Sequence, residues 1–297
     1  MRDVAIVSFA QSTPGLTGVE ETETQLLFPV INEALEKINI TRKDIGFTCS
    51  ASCDYLAGAP FAFVQTLEAT GAWPPISESH VEMDGAWALY EAWVRLQHGD
   101  IDVALAFSSG ICSRADIREV LSIQLDPYYL APLWLDPLSL GRLQAEAAGL
   151  QPPTNAPVYS DAAAAVILAA GDRARELVPR PAWIAGIDHR SDAHYPGVRD
   201  LSTSVSARIA AEQAGVGKAP VDVAYVSAQF EHEAAILMGA LGLTHVHGLQ
   251  TNPLMVSGLI QVGRAADAVI NGEASRAVGH ASAGPCLQQN LVAVFEA

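Results

Sequence analysis

An internal echo constrains this chain more than any other feature. The residues Asp84-Gly85, His98-Gly99-Asp100, Ala104 and Ser109 are answered in the second half by Ser257-Gly258, Asn271-Gly272-Glu273, Ala277 and Ser282. Gly85 pairs with Gly258, Ala92 with Ala265 and Gly99 with Gly272, all at one constant offset. Each copy reads as a Gly-led helix, a Gly stop, an acidic residue, and a buried strand ending in small residues. Helix–Gly–strand units are common in α/β proteins, but the equal intervals in comparable places favour a duplicated domain. Gln151-Pro152-Pro153-Thr154-Asn155-Ala156-Pro157 is a Pro-rich connector that cannot continue a helix, so the halves are expected at 1–157 and 158–297.

Short apolar runs alternate with amphipathic ones around the echo. Strands are expected at Val4–Phe9, Ile45–Ser50, Val103–Phe107, Ala163–Ala169, Trp183–Ile187, Asp222–Val226 and Val292–Phe295. Helices are expected at Gln25–Ile38, Gly58–Gly71, Gly85–Gln97, Thr203–Ala214, Glu231–Leu241 and Ser257–Ile270, with irregular structure from Asp126 to Pro137. This alternation predicts an α/β fold with buried, largely parallel strands. At 297 residues, 50% of them hydrophobic, the chain can build a sizeable core of that kind.

The formal net charge of −16 repels phosphate backbones and anionic lipid, which argues against nucleic-acid and membrane-surface roles. An anionic ligand needs arginines gathered locally. Cys49, Cys53, Cys112 and Cys286 are too few and scattered for a disulfide framework, and none has partners at zinc spacing, so no metal is expected. Reduced thiols point to the cytoplasm. The opening Met1-Arg2-Asp3-Val4-Ala5-Ile6-Val7 reads as a first strand rather than a signal peptide, and no apolar run reaches membrane-spanning length.

Several segments carry a resemblance: Ser160-Asp161-Ala162-Ala163-Ala164-Ala165, Ser227-Ala228-Gln229-Phe230, Asn252-Pro253-Leu254-Met255-Val256-Ser257-Gly258 and His280-Ala281-Ser282-Ala283-Gly284. In order and spacing they resemble the strand entry and catalytic turns of the thiolase superfamily. The subgroup most similar is the lipid-transfer-protein-type thiolases and steroid side-chain aldolases, over essentially the whole chain. The resemblance implies a thiolase-like layered α/β fold of two similar halves, with the loop domain between them largely missing. It implies a CoA thioester as substrate and no covalently bound cofactor. It also implies a dimer or heterotetramer with a sister thiolase-like subunit, or docking of a small OB-fold zinc-ribbon protein. Phe61–Leu67 and Trp87–Trp93 would form part of such an interface.

The departures from the family pattern bear on function. The nucleophilic Cys before the Gly-led helix is Glu82 here, three residues ahead of Gly85, and a carboxylate cannot form the acyl-thioester intermediate. Two catalytic histidines of the family correspond to Ser227 and Asn252, and His280 lies nearest the second catalytic Cys. The proton-transfer Tyr of the aldolases falls on Pro285 and Cys286. The candidate site is therefore Glu82, Asp84, Asn252 and His280. Glu82 or His280 would act as base and Asn252 as donor to a thioester oxygen. Asp84 reads equally as a helix cap. His232 and Glu233 read as first-turn polar residues, and His189, Asp192 and His194 as a surface loop. Two functions stay open: retro-aldol carbon–carbon cleavage of a lipid or steroid side-chain CoA thioester, and an inactive partner that completes a sister subunit.

Overall fold

The computed structural model describes residues 2–15 and 21–297, so Met1 of the expected opening strand lies outside the described residues. These residues form nine strands: β1 (Val4–Gln11), β2 (Phe47–Ala51), β3 (Glu78–Val81), β4 (Val103–Gly110), β5 (Ala162–Ala170), β6 (Ala182–Ser191), β7 (Val223–Val226), β8 (Arg276–Ala283) and β9 (Gln289–Glu296). The helices are α1 (Glu23–Glu36), α2 (Asp54–Ala57), α3 (Leu67–Thr70), α4 (Gly85–Gln97), α5 (Ile117–Ile123), α6 (Pro137–Ala147), α7 (Gly171–Leu177), α8 (Val205–Ala214), α9 (Glu231–Leu241) and α10 (Ser257–Ile270).

All nine strands join one sheet in the order β3-β2-β4-β5-β1-β6-β9-β8-β7. The order mirrors itself about a central antiparallel contact, Ala5 with Trp183 and Ile6 with Ala182. Outward on either side run β5, β4 and β2, or β9, β8 and β7. The constant offset is 173 residues, and it carries β4 onto β8 strand end for strand end. It also superposes α4 on α10 but for one residue at the start.

Two expectations are corrected. The sheet is not largely parallel: β2 with β3, β2 with β4 and β7 with β8 are parallel, while the other five pairings are antiparallel. Unbroken apolar runs such as Ala162–Ala170 report burial on both faces, which helices on both sides impose whatever the strand direction. The segment Gly58–Gly71 is not one helix. Gly58 and Gly71 take left-handed conformations that end α2 and α3, with Pro60 and a 3₁₀ turn between them. In sheet order β5, which follows the Pro-rich connector, lies between β4 and β1.

The strands sort their side chains with period two into separate cores. Val4 and Ile6 of β1, the even-numbered residues of β5, and Leu291, Ala293 and Phe295 of β9 face α4 and α10. The intervening residues of β1, β4 and β5 face α1, and Val278, Val292 and Val294 face α8 and α9. The result is layered: outer helices, half the sheet, the α4–α10 pair, the other half, outer helices. Because α4 lies in the middle, Trp87, Leu89 and Ala92 of the expected interface segment are buried within this chain, while Tyr90 and Trp93 are half-buried and Glu91 is exposed. Phe61 and Val64 remain exposed.

The halves differ in one crossover. Between β8 and β9 the chain needs only a short turn, whereas between β4 and β5 it makes an excursion over 111–161 that carries α5 and α6. This excursion forms one wall of the site.

Candidate functional site

The central helices begin side by side, and this junction is the floor of a cavity of about 620 Å³. The wall opposite comes from the excursion: Leu121, Gln124, Leu125, Leu135, Leu140 and Gln144. The remaining sides come from the turns after β7 and β8.

Asp84 holds the floor together. It is 2% exposed. Its Oδ1 accepts from Ala86 N at 2.8 Å and from Leu259 N at 3.0 Å, and its Oδ2 accepts from Gly258 N at 2.8 Å. Ser257, its counterpart at the repeat offset, donates weakly to Oδ2 at 3.5 Å. One carboxyl thus caps both central helices. Burial pushes it up to about 7 against the pull of these donors.

Glu82 stands three residues ahead of Gly85, the first residue of α4, and lines the cavity. Its Oε1 accepts from Asp54 N at 2.6 Å, and its Oε2 lies 3.6 Å from His80 Nε2. His80 is itself held by Ser50 Oγ at 2.9 Å and by Phe63 stacked at 4.4 Å. The carboxylate is therefore oriented although its side chain is about half exposed. Asn252 also lines the cavity, with Oδ1 accepting from Leu254 N at 2.9 Å, which directs its Nδ2 away from that turn. Ser227 Oγ meets Ser257 Oγ at 3.1 Å beside it.

His280 does not join them. It is fully buried on β8, away from the cavity lining, between Val226 and Val292 of the neighbouring strands. Asn290 uses its Nδ2 to donate to Leu287 O, so its Oδ1 accepts from His280 Nε2 at 2.9 Å. That fixes a neutral ring protonated on Nε2, with Nδ1 unpaired. Burial pulls its pKa down to about 4. The expectation of a site-mouth base at 280 is corrected: Ser282, two residues further along the same face of β8 and nearer its end, reaches the cavity, and His280 does not.

Glu233 was missed. The sequence reads it as a first-turn polar residue of α9, yet it is 5% exposed and lines the cavity. Its Oε2 accepts from Gln229 N at 2.6 Å and Phe230 N at 3.3 Å, and burial pushes the carboxyl up to about 7. A signal was available: the position before the helix is Phe230, which has no capping oxygen, so the acid must do that work itself. Two thiols reach the cavity, Cys53 and Cys286. Burial raises both, Cys286 to about 12, so neither supplies thiolate at neutral pH.

Among the described residues no group of three or more His, Cys, Asp or Glu is placed to hold a metal ion. His189 packs edge-on against Tyr90, and His194 lies 3.6 Å from Asp126. The four cysteines are free and buried. No helix among the described residues is long and apolar enough to cross a membrane.

No family model and no curated protein matches the sequence. Solved structures do match the fold. Human mitochondrial 3-ketoacyl-CoA thiolase superposes at a TM-score of 0.75 over 100% of this chain and 99% of its own, with 14% identity. The same enzyme in complex with CoA superposes at 0.73 over 100% and 98%, again with 14% identity. The chain has the thiolase fold, built on a sequence that shares little with those enzymes.

Proposed function

We propose that this protein binds the acyl part of a CoA thioester in the cavity and cleaves a carbon–carbon bond by acid–base chemistry, without a covalent acyl-enzyme. One observation carries the reading: an oriented carboxylate, Glu82, stands at the head of α4 where the resemblance puts a nucleophilic Cys, while both cavity thiols are held protonated. The fold's likeness to a thiolase solved with CoA supports the ligand class. The resemblance to lipid-transfer-protein-type thiolases supports a lipid or steroid side chain as the acyl group.

The reaction is a retro-aldol cleavage of a β-hydroxyacyl thioester. Glu82 takes the β-hydroxyl proton, the Cα–Cβ bond breaks, and its electron pair moves into the thioester enolate. Asn252 Nδ2–H faces the enolate oxygen. Glu233, whose raised pKa keeps a protonated fraction at neutral pH, returns a proton to Cα. A carbonyl compound and a shortened acyl-CoA leave, and solvent resets the two acids. His280, neutral and enclosed, has no part in this scheme.

A second reading has its own observation. Trp73 is 88% exposed, Tyr128 81% and Phe61 73%, more aromatic surface than a lone subunit usually shows. That favours a thiolase-like partner subunit that completes an active sister. One assay separates the two. The isolated chain is incubated with β-hydroxyacyl-CoA thioesters, and the shortened acyl-CoA is measured by chromatography. Cleavage that falls at least a hundredfold in Glu82→Gln supports the enzyme. Cleavage seen only with a sister subunit, and indifferent to Glu82→Gln and Glu233→Gln, sinks it.

A further inference from the structure

The cavity's polar groups are unevenly chosen. Among the described residues its lining includes three carboxyl groups (Glu82, Asp84 and Glu233) and no Lys, Arg or His. It also includes five glutamines. Gln144 is the deepest of these: it is 0% exposed, and neither its Nε2 nor its Oε1 has a hydrogen-bond partner. Gln229 Oε1 is also buried and unpaired.

These two amides share a wall. Gly141 lets α6 sit directly on Phe230, since a Cβ there would lie 2.6 Å from a ring carbon. Gln144 is one turn further along the same face of α6, and Gln229 is the neighbour of Phe230. The Leu140 carbonyl of that face accepts from Cys286 Sγ, which locks the helix against the turn after β8.

A buried carboxamide with both ends unpaired is costly, and the cost is recovered only by a group that donates and accepts at once. Hydrocarbon does neither. A carboxylate only accepts, and it would bring a further acidic group into a cavity that already holds three and lacks a cation among the described residues. A hydroxyl does both: its O–H donates to Oε1 and its oxygen accepts from Nε2–H. We infer that the acyl group held here carries an uncharged hydroxyl, remote from the thioester, that docks on the Gln144 carboxamide. The inference rests on the acyl-CoA reading above and names the substrate class within it.

The test is calorimetric titration of the full chain with saturated acyl-CoA thioesters from hexanoyl to dodecanoyl, each beside its ω-hydroxy and ω-carboxy counterparts. At the chain length that reaches Gln144, the ω-hydroxy thioester should bind about tenfold tighter than the alkyl one, and the ω-carboxy thioester more weakly than either. In Gln144→Met, which keeps the volume and removes the unpaired atoms, the hydroxyl advantage should vanish while the melting temperature holds or rises. Equal binding of hydroxy and alkyl thioesters at every length overturns the inference, whether or not the variant folds. So does an advantage that survives in a folded Gln144→Met. Alkyl thioesters that bind without hydroxyl preference leave the acyl-CoA reading standing; failure of every thioester to bind removes both.

Discussion

Replacing Asp84 by Ala should unfold the junction between the halves before it affects any chemistry. Three buried backbone N–H groups, of Ala86, Gly258 and Leu259, lose their acceptor. Leaving a buried donor unpaired costs about 1–3 kcal/mol, so the three together cost roughly 3–6 kcal/mol after partial relaxation. Removing a carboxyl that burial already disfavours returns on the order of 1–2 kcal/mol. The net loss is roughly 2–4 kcal/mol, or about 4–8 °C in melting temperature at the scale of a chain this long. Asp84→Asn should lose about half as much. With its oxygen in the Oδ1 position it keeps Ala86 and Leu259, and only Gly258 then faces an N–H donor. Urea unfolding followed by circular dichroism measures both variants. The reasoning fails if Asp84→Ala lies within about 1 kcal/mol of the parent protein, or if Asn is the worse substitution.

The pH dependence of stability should carry two opposed signatures. Glu233 is raised from 4.5 to about 7 in the fold, so its contribution is whole below pH 4.5 and is lost as the pH climbs through about 7. Glu233→Gln should flatten that decline in unfolding curves taken between those values; an unchanged slope contradicts a protonated buried acid. His280 is lowered from 6.5 to about 4, so its contribution is whole above pH 6.5 and disappears as the pH falls through about 4. That window is worth roughly 3 kcal/mol, and His280→Gln should shift the acid-unfolding midpoint downward relative to the parent. Gly258→Ala places a Cβ against Ala281 and the Asp84 carboxylate, and should cost about 3 kcal/mol by thermal denaturation. A neutral result there would mean that the two central helices can slide apart cheaply.

The duplication was legible because it is written in backbone-determining residues. Gly85 and Gly258 are required where two helix starts meet, and Gly99 and Gly272 both take left-handed conformations at the helix ends. Such positions survive in a single sequence as a fixed interval. Strand direction was not legible, because apolar runs record which faces are covered and not which way the neighbouring strand runs. Ala162–Ala170 is equally buried between two antiparallel partners as it would be between parallel ones. At the site, Glu82 was legible by counting back from a helix start, which is a local relation. His280 and Glu233 were misplaced because lining a cavity depends on which strand face or helix turn meets the excursion from 111 to 161. That is a long-range packing fact: on β8 the cavity begins only at Ser282 and Ala283, at the strand's end, and His280 lies short of it.

The pseudo-symmetry also accounts for why a thiol has no place at the head of α4. Two helix starts that meet face to face concentrate positive ends in one spot, where an anion is favoured. In this chain the repeat-related positions at that spot are Asp84 and Ser257. Two acids there would repel each other and one of them would stay protonated, so an acid opposite a serine is the arrangement that caps both helices with a single buried charge. Once Asp84 occupies the junction, the helix ends no longer favour a second anion nearby, and a thiol at position 82 would gain little help toward thiolate. Among the described residues the cavity lining has many side-chain amides, Asn252 among them, and no cationic side chain. The carboxylate at 82, the double cap at 84 and the amide-rich wall are in this view coupled features of one cavity. A single variant probes that coupling: Glu82→Cys should show ordinary alkylation by iodoacetamide in the parent background and faster alkylation, by about three- to tenfold, when Asp84 is also replaced by Asn. Equal rates in the two backgrounds would mean that the charge at 84 does not govern the chemistry at 82.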